Sequence, residues 1–267
     1  MNTNFGKKYR LGVIGSGEMA HAIVEGAIKA GVVAPEQVIC SARHESSLEK
    51  MRLLGTAVTL NNKEAANSEF VLFSVRPQDF VEAAKSVFGL VKIAISVMAG
   101  IPSAKISEML GGCRVARCMP NLPCRIGYGM SAVDVSAFSE EEGAFLLALF
   151  GARGKAIAVP EAKLHAVTGI SGSGPAYVYL FIQCLAAAGV EHGLTEEEAR
   201  ILAIQTVIGG AKMAESSDLP LEALVNSVCS KGGTTIQAVE CFQREGLSEI
   251  VSHAVSACVK RSEELAQ

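Results

Sequence analysis

RLGVIGSGEMAHAIVEGAIKAG, residues 10–31, is the stretch on which the fold turns. RLGVIG is a short apolar run closed by a glycine, which predicts a strand. HAIVEGAIKAG carries its apolar residues at helical spacing, and between the two stand Gly15, Gly17 and Ala20 in a GxGxxA pattern. Gly15 permits a tight turn, Gly17 lets main chain approach a pyrophosphate, and Ala20 lets the helix pack closely on the strand. The N–H groups of Ser16, Gly17, Glu18 and Met19 then sit at a positive helix end suited to phosphate. A glycine-rich turn by itself serves as a plain connector. Here the preceding strand, the following helix and the first-strand position favour a dinucleotide site.

Outward from that stretch, Tyr9 to about Pro160 alternates short aliphatic runs with amphipathic segments, as βαβ units do. The predicted strands are RLGVIG, QVICSA, TAVTL, FVLFSV, KIAISV, RVARCM, GMSAVD and KAIAV, forming a largely parallel sheet. After Val159 the pattern changes. PEAKLHAVTGISGSGP reads as a hinge, and only helical periodicities follow, punctuated by HGLTEEE, SSDLP, SKGGTT and REGLSE. Thr195 with Glu198 and Ser139 with Glu142 have capping-box spacing, and Pro175 suits a first helical turn. The fold class is therefore an α/β Rossmann-type doubly wound sheet, residues 1–160, followed by an all-α domain, residues 161–267. Within the latter, ARILAIQTVIGGAKMA (199–214) is apolar almost all round, which predicts burial in a bundle or a subunit interface and suits a dimerisation unit.

The second strand ends in VICSARHE, where an NAD-preferring site carries an acid for the ribose 2′-hydroxyl. This chain has Cys40, Ser41 and Arg43 instead. A hydroxyl and a guanidinium suit a 2′-phosphate, so NADPH is expected ahead of NADH. SVRPQ (74–78), SVMAGI (96–101) and Asn61–Asn62 end further strands and are candidate cofactor walls.

Composition excludes several classes. A net charge of -3 gives no basic footprint for nucleic acid. Eight cysteines lie scattered in apolar stretches without CxxC or zinc spacing, so no metal is expected and the thiols read as reduced core residues of a cytoplasmic protein. The opening MNTNFGKKYR has no signal-like run, and every long apolar stretch meets Gly, Lys, Glu or Gln before spanning length, so no membrane association is expected. The five histidines form no pair with an acid in a recognisable catalytic pattern.

RCMPNLP (117–123), TGISGSGPAYVY (168–179) and SKGGTT (230–235), in that order behind the GxGxxA start, resemble the pyrroline-5-carboxylate reductase family over about residues 10–265. The resemblance implies reduction of 1-pyrroline-5-carboxylate to proline by NAD(P)H, with a helical C-terminal domain that joins two subunits; assembly beyond the dimer stays open. It places cofactor contacts on the Gly15 to Ala20 turn, Ser41, Arg43, Asn62, Val75, Arg76, Pro77, Ala99, Gly100 and Asn121. Imino-acid contacts fall on Glu161, Ser230, Gly232, Gly233, Thr234 and Thr235. Lys231, Arg76, Leu122 and Ser227 depart from the family pattern, and Lys231 adds a charge near an anionic substrate.

A cyclic imine bearing a carboxylate needs a hydride donor, an anion clamp and a proton on nitrogen. SKGGTT suits the clamp, since its glycines expose main-chain N–H groups at a helix start and Ser230, Thr234 and Thr235 add hydroxyls. A plain helix cap is the bland alternative for these residues. Thr235 is the candidate for a minor proton-relay role, and Glu161 for stabilising a positive nitrogen. Two other readings remain open. One is an NADP-linked hydroxyacid dehydrogenase, for which Lys163 and Lys212 are the available acid–base residues without that group's motif. The other is an NADP-sensing module without turnover.

Overall fold

The computed structural model describes residues 8–266; the other residues of the polar opening segment, 1–7, lie outside them. The strands are β1 (Tyr9–Ile14), β2 (Val38–Ser41), β3 (Ala57–Thr59), β4 (Ser68–Phe73), β5 (Ile93–Ser96), β6 (Arg114–Met119), β7 (Gly129–Val133) and β8 (Gly154–Ala158). Between them lie helices α1 (Glu18–Lys29), α2 (Glu49–Leu53), α3 (Asn62–Ala66), α4 (Pro77–Ser86), α5 (Ser103–Met109) and α6 (Glu140–Gly151). All eight form one sheet in the order 3-2-1-4-5-6-7-8, parallel throughout except between β6 and β7. The chain leaves β1 in one direction for β2 and returns on its other side with β4. The order therefore reverses between β1 and β4, and a crevice must open there.

Both faces of the sheet are covered along β1, β2, β4 and β5, which is why those strands read as continuous apolar runs, whereas β8 is largely exposed. On β4, Phe70 and Leu72 join one buried cluster with Leu11, Val13, Val24 and Leu146. Val71 and Phe73 join the opposite one with Ile14, Phe80, Ala94 and Ile106. Phe70 stacks on Phe145 at 4.6 Å between centroids, and Phe73 meets Phe80 edge-on at 5.3 Å. Gly12, outside the fingerprint, is needed for the close approach of α3 to β1: a Cβ there would overlap the main-chain oxygen of Ala65.

The chain divides into two compact units, residues up to Ser173 together with Cys258 onward, and Gly174–Ala257. The hinge passage, including α7 (Leu164–Val167) and the π turn Thr168–Gly172, belongs to the first. The second holds α8 (Gly174–Glu191), α9 (Glu196–Glu215), α10 (Leu221–Val228), α11 (Thr234–Arg244) and the first part of α12 (Leu247–Glu264). The end of α12 returns to the first unit: Ser262 Oγ lies 2.9 Å from His165 Nδ1, Cys258 Sγ lies 3.2 Å from Ser173 Oγ, and Leu265 packs against Gly100. The sequence places a boundary at 160/161; the compact division falls at 173/174, and hydrogen bonds from Arg117 to Glu161 and from Asn121 to Ser171 hold the start of the hinge to the first unit.

Within the second unit α8 and α9 pack along each other, yet few of their residues are buried. On α9, expected to be covered, Ile201, Leu202, Ile208 and Met213 stay exposed and only Ala199 and Ala203 are buried, so burial within the chain does not account for its apolar surface. A related expectation is corrected here. The stretch 161–191 is long and apolar enough, by length and composition only, to cross a membrane, in spite of its Gly and Gln residues.

Both capping boxes form, at Ser139/Glu142 and Thr195/Glu198. Glu142 also takes a two-pronged ion pair from Arg114, at 2.7 and 2.6 Å. The Arg114 hydrogen bond outweighs burial, and with the Ser139 amide it holds the Glu142 carboxyl down to about 2. A depressed carboxyl stabilises the fold above its unfolded pKa, and that stability is lost as pH falls through the folded value. Glu142→Gln is expected to lower stability at pH 7 by about 1–2 kcal/mol, less than the full shift implies because the guanidinium is half exposed. In urea titrations the deficit should shrink below pH 4.5 and vanish near pH 2.

Candidate active site

The crevice at the β1/β4 reversal is a cleft of about 530 Å3 whose lining includes Gly15, Ser16, Gly17, Arg43, Asn62 and Val75. Gly15 has φ +95°, and a Cβ there would sit 2.7 Å from the Ser74 carbonyl oxygen, so only glycine allows the turn after β1 to pass the end of β4. The turn is fastened to β2 by the Ser41 carbonyl, which accepts from Gly15 N–H at 3.0 Å and Ser16 Oγ at 3.1 Å. A Cβ at Gly17 would meet nothing within 4 Å, and no side chain caps α1. The open approach at Gly17 and the uncapped amides at the start of a twelve-residue helix fit a pyrophosphate. Ala20 is fully buried against the sheet, Met19 points away toward Cys124, and Glu18 pairs with Lys50 and, at 3.2 Å, with Arg125. These three can face a phosphate only through main chain.

Arg43, Arg76, Val75 and Asn62 all line the cleft. Pro77 is the first residue of α4 and sets its entry angle rather than the cleft wall. Ser41 does not line the cleft: its hydroxyl is fully buried, 2.8 Å from Asn62 Oδ1 and 3.3 Å from Val13 O, where it positions Asn62. Asn62 Nδ2 in turn donates to Ser86 Oγ at 3.1 Å.

Sequence reasoning missed Asp79. Its carboxylate lines the cleft and accepts from both arginines, Arg43 Nη2 at 2.9 Å and Arg76 Nε at 2.8 Å. The hydrogen bond from Arg76 is the main influence holding its carboxyl below the usual range. The signal was present: RPQD puts an acid in the first turn of a helix three residues after a cation.

Ala99, Gly100 and Asn121 do not line this cleft. Gly100, with φ +78°, touches Leu265, and both ends of the Asn121 amide are engaged: Nδ2 donates to Ser171 and Oδ1 accepts from Met130 N–H at 2.9 Å. Glu161 likewise has its carboxylate occupied within the first unit. It accepts from Ser103 N–H at 2.8 Å, from the Ser103 hydroxyl, and from Arg117 Nη1 at 3.0 Å. Burial pushes the Glu161 carboxyl up, and the Ser103 and Arg117 hydrogen bonds more than offset this, leaving it lowered. Arg117 is itself buried on β6, and its Nη2 reaches the Met98 carbonyl at 3.4 Å, so the pair ties β6, the loop after β5 and the hinge together.

In the second unit SKGGTT forms a turn closed by Gly233 N–H to Ser230 O at 2.9 Å, with Gly232 at φ +72°. A Cβ on Gly233 would overlap Ser230 Oγ. Gly233 is the N-cap of α11 and no side chain caps the helix, so Ser230, Thr234 and Thr235 stand exposed at its start. Lys231 is exposed beside them. Of the rival acid–base lysines, Lys212 pairs with Glu215 at 2.8 Å on α9.

Glu161→Ala is expected to cost about 2–4 kcal/mol, because it strands the buried Arg117 guanidinium, whereas adding Arg117→Met should recover part of the loss. Urea denaturation of the single and double variants checks both.

Residues 161–265 match the family model for pyrroline-5-carboxylate reductase dimerisation, and residues 10–100 match that for NADP oxidoreductase, coenzyme F420-dependent. A pyrroline-5-carboxylate reductase of Arabidopsis thaliana is 39% identical, covering 98% of this chain and 97% of the relative. The solved pyrroline-5-carboxylate reductase of Coxiella burnetii superposes with a TM-score of 0.91 at 30% identity, covering 97% of this chain and 99% of that one. The Plasmodium falciparum pyrroline carboxylate reductase, solved with NADP bound, gives a TM-score of 0.82 at 26% identity over 98% of this chain and 99% of that one.

Proposed function

We infer the activity from family membership: the chain belongs to the pyrroline-5-carboxylate reductase family, and it reduces 1-pyrroline-5-carboxylate to L-proline with a nicotinamide cofactor. The near full-length match, spanning the nucleotide fold and the helical domain alike, carries this reading.

When bound, the nicotinamide supplies a hydride to the imine carbon, and a proton on nitrogen completes the secondary amine. The protein's part is to bind and orient. The uncapped start of α1 receives the pyrophosphate, and Val75 and Asn62 border the cofactor in the cleft. The turn at Ser230–Gly233 with Thr234 and Thr235 receives the substrate carboxylate through main-chain N–H groups and hydroxyls, without an arginine. Thr235 passes a proton to the nitrogen, a minor role if the imine binds already protonated. Because its carboxylate is taken up by Ser103 and Arg117, we assign Glu161 to shaping the hinge rather than to holding the nitrogen. Most of the rate then comes from orientation.

NADPH is the preferred reductant in this proposal, with Arg43 and Arg76 receiving the 2′-phosphate. The chain works as a homodimer through its helical domain, whose exposed α8 and α9 residues supply the apolar surface. Eight free cysteines suit a reducing cytoplasm.

Oxidation of NADPH on adding pyrroline-5-carboxylate tests the reading, with a hydroxyacid plus NADP as the rival assay. Tight NADPH binding without consumption would identify a sensing module instead. Thr235→Ala is expected to lower kcat by about 10-fold to 100-fold while NADPH affinity stays unchanged; total loss of turnover would contradict a minor role.

A further inference from the structure

The acid missing from the end of β2 is present elsewhere. An acid after the second strand is what favours an unphosphorylated ribose in this fold. Here α4 brings Asp79 into the same cleft, where its carboxylate bridges Arg43 at 2.9 Å and Arg76 at 2.8 Å. Its side chain is 18% exposed, so it is a built part of the cleft wall rather than a solvated surface acid.

We propose that Asp79 is a specificity-determining residue that restrains discrimination against NADH by occupying one N–H of each guanidinium and setting a negative charge against the 2′-phosphate. The inference rests on the reading that Arg43 and Arg76 face that phosphate. With Asp79 ionised, two cations are offset by one anion, and Glu82 adds a second acid to the same cleft. Arg43 has Nη2 engaged and Arg76 has Nε engaged, so a phosphate meets only the remaining edges of each fork. An unphosphorylated ribose faces no such repulsion, and its 2′-hydroxyl can donate to a carboxylate. Removing the charge while keeping the shape should therefore favour the phosphorylated cofactor alone.

The test is equilibrium binding of NADPH, NADH and 2′,5′-ADP to the full chain and its variants, followed by fluorescence or calorimetry. For Asp79→Asn the dissociation constants of NADPH and 2′,5′-ADP should fall roughly fivefold while that of NADH does not fall, and the gain should shrink in high salt. Asp79→Glu, which restores the charge, should return the ratio toward the parent value. The proposal is overturned if Asp79→Asn leaves NADPH affinity unchanged or weakens it, which would mean that the carboxylate serves to preorganise the arginines. It is overturned equally if both cofactors tighten alike. Arg43→Glu tests the underlying reading separately. Should that variant keep the parent NADPH-to-NADH ratio, Arg43 does not carry the phosphate, while a shifted ratio in Asp79→Asn would still place Asp79 in control through Arg76.

Discussion

Two stretches of main chain nearly touch where the strand order reverses, and the nucleotide site depends on that contact. Gly15 passes the Ser74 carbonyl with no room for a side chain, and the Ser41 carbonyl locks the turn from the other side. Three strand ends, β1, β2 and β4, are thereby pinned at one point. The helix that starts there has no side-chain cap on its first amides, because its N-cap is Gly17, which has no side chain to offer. Loss of the contact would leave the sheet intact but remove the direction of those amides.

Charged groups are used differently around the cleft and at the turn before α11. In the first unit, acids and guanidiniums are matched in small groups: Arg117 with Glu161, Arg114 with Glu142, and two arginines with Asp79. The first two pairings fix loops rather than perform proton chemistry, and the carboxyls of Glu142, Glu161 and Asp79 are all lowered by their cationic partners. The turn at Ser230–Gly233, with Thr234 and Thr235 after it, instead carries hydroxyls, amides and one lysine. A reaction whose difficult step is made by a cofactor can use such a sparse partner, since positioning requires donors of fixed direction more than groups of tuned acidity.

The sheet was readable because period and punctuation agree. All eight strands lie where their apolar runs end in Gly, Pro, Ser, Asn or Asp, and both capping boxes obey local rules that act within four residues. What was not readable is long-range. Ser41 looks like a cofactor ligand from its place after β2, yet the pleat turns its side chain inward to Asn62. Glu161 and Arg117 stand 44 positions apart, and nothing local announces their pairing. The same holds for Asp79, whose partner Arg43 arrives from another βα connection. The apolar surface of α9 was legible as a surface needing cover, but periodicity does not say from which chain the cover comes.

The last turns of α12 lie with the sheet-bearing unit, so the all-helical unit is an excursion from it and not an appendage. Its polypeptide is anchored at two places, after Ser173 and before Cys258, and one anchor ends against the glycine that follows β5. A segment tethered at both ends is a closed loop, and its unfolded form has fewer conformations open to it than one hanging from a single linker. Cys258, Ser262 and Leu265, far along the sequence from β5 and the hinge, thus contribute contacts to the first unit at Ser173, His165 and Gly100.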